Sequence, residues 1–171
     1  MNKIKNPALR EAYERLYHKT PLGFYNCGRL CDGLCCRGDG QGMWLFPYEE
    51  ELFMGKDGFE ICETEGNYGY PMLICSGECD RAERPLACRI FPLFPLVYED
   101  DGKIRIKVVY DPRAGMCPLA RNNKELDSSF IKEVYKAARY LIRDEKILEY
   151  MKAVSTELTE IAELQRRLGE I

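Results

Sequence analysis

The sequence predicts a helix-rich α+β domain in which irregular cysteine-rich loops pack with a few short strands and C-terminal amphipathic helices. Three observations predict it. Residues 126–168 repeat apolar side chains at helical spacing. Residues 103–110 alternate charged and apolar side chains, as a half-buried strand does. From Gly23 to Gly42 the chain is crowded with Gly28, Gly33, Gly38 and Gly40, which favours irregular backbone that can approach another group closely. At 171 residues the chain suits one domain burying roughly 70% of its unfolded surface. We read 1–171 as that single domain, with a cysteine-rich region at 24–118 and a helical part at 124–171.

Taken in order, Pro7 to His18 place Leu9, Tyr13, Leu16 and Tyr17 on one helical face, with Pro7 suited to the first turn and Pro21 to the exit. A second short helix is predicted at Pro47 to Met54, then a turn at Gly55 to Gly58 and strands at Phe59 to Cys62 and Tyr70 to Ile74. Asp101-Gly102 reads as the hairpin turn joining Phe94 to Glu99 with Lys103 to Tyr110. In the last third, Leu126, Phe130, Ile131, Val134, Ala138, Leu141, Ile142, Leu148 and Met151 keep helical spacing, as do Leu158, Ile161, Leu164 and Leu168. One long helix or two consecutive ones fit, with Ser155 and Thr156 as caps of the second. Core packing explains this apolar face; pairing of two copies through the C-terminal helices is the alternative.

Composition narrows the function. With 46% hydrophobic and 31% charged residues the chain is globular rather than disordered or fibrous. A net charge of -3 and a pI near 5.4 supply no general field for nucleic acid or an anionic membrane, so neither is an expected partner. The longest apolar stretch, Ile90 to Tyr98, is broken by Pro92 and Pro95 and is too short to span a bilayer. The first twenty residues lack the apolar core of a secretory signal, which makes the reducing cytoplasm the expected location.

Nine cysteines are the unusual feature. They make up about 5% of the chain, below the level of a disulfide scaffold, and their odd number also argues against an exported, fully bridged protein. Cys27, Cys31, Cys35 and Cys36 form a C-x3-C-x3-C-C run; Cys75, Cys79 and Cys88 follow, then Cys117 near a strand end. Thiolates suit zinc and iron because their soft, charged sulfur matches those ions, and clustering in glycine- and proline-rich loops allows sulfurs to converge. The expected metal ligands are therefore Cys27, Cys31, Cys35, Cys36, Cys75, Cys79, Cys88 and Cys117, with Cys62 left as a packed thiol. Neighbouring side chains diverge, so Cys35 and Cys36 are expected to play different roles: one ligating and one packing, or each serving a different ion or cluster corner. Four thiolates on one zinc carry a charge of about -2, which Arg29, Arg37, Arg81, Arg84 and Arg89 are placed to offset.

Residues Glu83 to Pro92 read ERPLACRIFP. With the first cysteine run, this segment resembles the YkgJ-like cysteine-cluster family, described as zinc- or iron-chelating and named for a C-x2-C-x2-C-C pattern. The family's RPxxCRxFP segment matches at Arg84, Pro85, Cys88, Arg89, Phe91 and Pro92, and its later C-P step at Cys117-Pro118. The resemblance spans roughly residues 24 to 118. Both gaps in the first run are three residues here, where the family has two. Flagellin lysine N-methylases carry a related cluster, and that resemblance implies an iron-sulfur role as an alternative.

Other chemistry is poorly provided for. His18 is the only histidine and reads as a surface residue at a helix end, which excludes histidine-rich zinc sites. There is no C-x-x-C pair and no phosphate-binding GxxxxGK[ST] loop. The radical-SAM spacing C-x3-C-x2-C is missed by one residue. Glu49, Glu50 and Glu51 read as a solvated helix face. The expectation is a metal-binding protein holding zinc, slightly favoured because it is redox-inert in a closed thiolate site, or iron, with a mainly structural role. An iron-sulfur redox or group-transfer enzyme, or an accessory of one, is the alternative, and a protein partner is a further expectation.

Overall fold

The computed structural model describes residues 4–36, 42–63, 69–77 and 80–169. It is a helix-rich α+β chain, as expected from the sequence. Helix α1 (Pro7–Leu16) begins where Asn6 accepts the Leu9 N–H at 3.0 Å and buries Leu9, Ala12, Tyr13 and Leu16. The glycine-rich stretch is less irregular than predicted: it holds a four-residue helix α2 (Gly28–Cys31) and a 3₁₀ turn at Leu34–Cys36. Strand β1 (Met43–Trp44), which the sequence did not announce, joins β2 (Phe59–Cys62) and β3 (Met72–Cys75) in an antiparallel sheet of order β1-β3-β2. Gly42 lies so close to the Met72 side chain that an added Cβ would force that side chain to move. The second predicted helix is shorter than expected, α3 (Glu50–Phe53).

The ERPLACRIFP segment contains a helix of its own, α4 (Leu86–Ile90), with Pro85 as its N-cap residue. Strands β4 (Leu93–Asp100) and β5 (Lys103–Tyr110) form the predicted hairpin. Asp101 and Gly102 both have positive φ, 49° and 68°, the backbone that a two-residue primed turn demands. Pro95 is tolerated inside β4 because a two-stranded ribbon leaves edges free of ladder bonds. After α5 (Pro118–Arg121) come two helices, α6 (Ser128–Leu141) and α7 (Glu145–Leu168).

The cap of α7 is Asp144, which accepts the Ile147 N–H at 3.0 Å; Ser155 and Thr156 instead lie in mid-helix. Ser155 is buried there for a tertiary reason. Its hydroxyl donates to the Met151 carbonyl at 2.6 Å and accepts the Val97 N–H of β4 at 2.8 Å. It thus satisfies a strand donor that β5 does not reach. The main core gathers Leu9 and Leu16 of α1, Phe130, Val134 and Leu141 of α6, Ile147, Met151 and Leu158 of α7, and Leu93 and Val97 of β4. Among the described residues no helix is long and apolar enough to cross a membrane.

Candidate functional site

The C-x3-C spacing of the first run matches one helical turn, and α2 uses it: Cys27 stands at the N-cap and Cys31 four residues on, its thiol donating to the Cys27 carbonyl at 3.7 Å. The 3₁₀ turn then brings the vicinal sulfurs together. Cys35 Sγ and Cys36 Sγ are 3.8 Å apart, so the divergence expected of neighbours does not occur. The turn's tight backbone and the approach of the two sulfurs replace the alternation that an extended pair would show. This separation has a chemical meaning. Two sulfurs about 2.3 Å from one tetrahedral centre lie about 3.8 Å from each other.

Cys35 and Cys36 stand between two hollows. The first, with a volume of ≈ 280 Å³, is lined by Cys35, Cys36, Cys75 and Cys88 together with Trp44, Phe59, Leu73 and Phe91. The second is wider, ≈ 740 Å³, and is lined by Cys27, Cys35 and Cys36 with Arg29, Arg84, Ser76 and Gly77. Cys27 interacts electrostatically with Cys31 and Cys117, and Cys35 with Cys27 and Cys31. Four of the other predicted ligands, Cys27, Cys31, Cys75 and Cys88, are therefore lining partners or electrostatic neighbours of the vicinal pair, while Cys117 reaches it only through Cys27. The eighth, Cys79, lies outside the described residues, as does Arg37. Among the described residues no group of three or more His, Cys, Asp and Glu side chains is close enough to hold an ion as it stands, and no disulfide forms.

Sheet register explains why Cys62 stays apart. Cys75 pairs with Phe59, and Met43 with Leu73, so these four share one face and line the first hollow, to which Trp44 adds from the neighbouring row. Cys62 pairs with Met72 at the other end of β2, three residues and about 10 Å along the strand from Phe59, and lines neither hollow.

The electrostatics divide the arginines. Cys36 accepts a hydrogen bond from Cys35, and with Arg84 nearby its thiol is lowered to about 6, while the Cys35 thiol that donates is pushed up. Burial pushes Cys27 up, and Arg81 and Arg84 oppose that shift. Arg29 shares the wider hollow with Cys27. Arg89 does something else. Only 1% exposed, it donates through Nε to the Arg84 carbonyl at 2.8 Å and through Nη2 to the Ala82 carbonyl at 2.7 Å, and it lies 4.5 Å from the Tyr13 ring centroid. Its charge steadies the turn before α4 instead of offsetting a thiolate.

Glu49 overturns the reading of a solvated acidic face. It is fully buried and accepts hydrogen bonds from the Tyr13 hydroxyl, from Phe46 N–H at 2.7 Å and from Leu86 N–H at 2.8 Å. Burial pushes its carboxyl up to about 7 against those bonds. The carboxylate thereby ties α1 and the start of α3 to the first turn of α4, the helix that carries Cys88. Three consecutive glutamates contain no signal that the first would be the buried one. Glu51 meets the original expectation, exposed and paired with Lys5, and His18 is exposed as predicted.

No known family profile, curated protein or solved structure matches the chain.

Proposed function

We propose that the protein holds zinc or iron through clustered cysteine thiolates, chiefly to organise the segments around Cys27 to Cys36 and Cys75 to Cys88. The observation that carries this reading is the Cys35–Cys36 sulfur pair, whose 3.8 Å separation suits two ligands of one tetrahedral ion. Cys27, Cys31, Cys75 and Cys88 neighbour the pair, Arg84 supplies positive charge beside Cys36, and Arg81 and Cys117 act on Cys27. The donor chemistry fits a soft or borderline cation and does not fit magnesium or calcium, which require oxygen. A bound ion would close the site by drawing further thiolates to the pair, coupling metal to local folding.

Elemental analysis of protein purified anaerobically, without an affinity chelate, tests the reading. At least one zinc or iron per chain is expected, falling at least about tenfold in a Cys35→Ser/Cys36→Ser variant. Trace metal in the native chain would refute it. Alkylation without reductant should modify all nine cysteines once the ion is chelated, whereas eight blocked thiols would point to disulfides.

The ≈ 280 Å³ hollow beside the sulfurs favours a second reading, an iron-sulfur centre taking part in redox or group transfer, because it leaves room for a substrate. A brown preparation with a reducible absorbance band would select it; colourless, zinc-loaded protein would select the structural role.

A further inference from the structure

The hollow shared by Cys35, Cys36, Cys75 and Cys88 is larger than an ion requires. Its volume is ≈ 280 Å³, whereas a cavity of about 150 Å³ already accepts benzene. Besides sulfur, its walls are largely apolar, with Trp44, Phe59, Leu73 and Phe91. Asp111 and Arg113 also line it, and they neutralise one another: Arg113 donates through Nε to Oδ1 at 3.0 Å and through Nη2 to Oδ2 at 2.8 Å. Such a wall suits an uncharged, ring-sized group. At the sulfur wall, two atoms 3.8 Å apart can grip a single soft centre.

The geometry points to a binding site for a small molecule in which a soft metal or metalloid centre carries one ring-sized apolar group, with Cys35 and Cys36 taking the centre and Trp44, Phe59 and Phe91 taking the group. For an aryl arsenic(III) oxide the step is a condensation. Each thiol gives up its proton, two arsenic–sulfur bonds replace the arsenic–oxygen double bond, and the oxygen leaves with both protons as one water. No electrons are transferred. Apolar burial adds to the grip only when the centre bears an organic group, so the site discriminates an organometalloid from its inorganic parent. The inference shares two sulfurs with the metal reading but does not require a resident ion.

The test compares phenylarsine oxide with arsenite on the full chain, both as purified and after chelation. Capture is followed by thiol titration and by the emission of Trp44, the only tryptophan. Each affinity is divided by that of dithiothreitol for the same arsenical, which removes the intrinsic difference in arsenic–sulfur bonding. The phenyl compound should show a preference of at least about tenfold in one form or both. Cys35→Ser/Cys36→Ser should abolish capture. Met116→Phe, a change at a 40% exposed residue lining the hollow, should remove the preference and leave arsenite unaffected. Equal normalised affinities in both forms, no capture in either, or a preference that survives Met116→Phe would overturn the inference. None of these outcomes alters the metal content of the native protein, so the two readings fail separately.

Discussion

Helices α6 and α7 and the segment from Cys27 to Cys36 hold their shapes by different means. Helix α6 buries Phe130, Val134, Ala137, Ala138 and Leu141, and α7 adds Ile147, Tyr150, Met151, Val154 and Leu158. Apolar burial at about 25 cal/mol per Å² suffices to hold such helices against a strand. In contrast, α2 and the 3₁₀ turn at Leu34–Cys36 bury none of their residues, and nearby Phe24, Tyr25 and Leu30 are largely exposed. A four-residue helix without a buried face is marginal by itself. The Cys27 to Cys36 segment, which buries none of its residues in α2 or the 3₁₀ turn, carries four of the nine cysteines, and an ion would supply there the cohesion that packing supplies elsewhere.

Removing metal is the sharpest way to break the comparison. A structural thiolate site contributes on the order of 10 kcal/mol of local folding free energy. Amide exchange after chelation should therefore accelerate by on the order of a hundredfold or more at residues 27–36 and 80–89, with little change in α6 and α7. Equal protection before and after would erase the distinction. The converse experiment attacks the other half. Phe130→Ala empties a fully buried site and should cost about 3–5 kcal/mol in urea unfolding, without lowering metal content per folded chain.

Glu49 joins α1 to α4, and its effect depends on pH. Its carboxyl is raised from an ordinary 4.5 to about 7, so between those values the folded chain holds a proton that the unfolded chain releases. The contribution is fully present below about pH 4.5 and is lost as pH rises through about 7, amounting to about 3 kcal/mol over the window. In Glu49→Gln this part of the pH slope should vanish, which urea titrations at several pH values would show. A smaller effect belongs to Asp144→Ala, which removes the cap of α7 and should cost about 1 kcal/mol of thermal or urea stability. Smallest of all, Cys62→Ser should leave metal content unchanged, since that thiol lies at the far end of β2 and lines neither hollow.

The parts of the fold legible in advance are those where a residue's neighbours in sequence decide its conformation. Asp101-Gly102 marks its turn because both positions need positive φ, and Leu126 to Leu168 mark helices because one face repeats every three to four residues. Even the break between α6 and α7 has a local sign, an aspartate at position 144, although the sequence also offers Ser155 and Thr156 as caps. Ser155 could not be read correctly because its partner is the Val97 N–H of a strand 58 residues away.

The candidate site divides in the same manner. The sequence by itself determined which residues carry soft donors, because residue type is a local property, but it announced irregular backbone where α2 sets Cys27 and Cys31 one turn apart. Only the tertiary structure decided that Cys35 and Cys36 share two hollows with Cys27, Cys75 and Cys88, that Arg89 turns to Tyr13, and that Glu49 is the buried member of three identical neighbours. Burial, electrostatic neighbours and the space between side chains are fixed by segments that meet from far along the chain, and no periodicity within one segment records what packs against it.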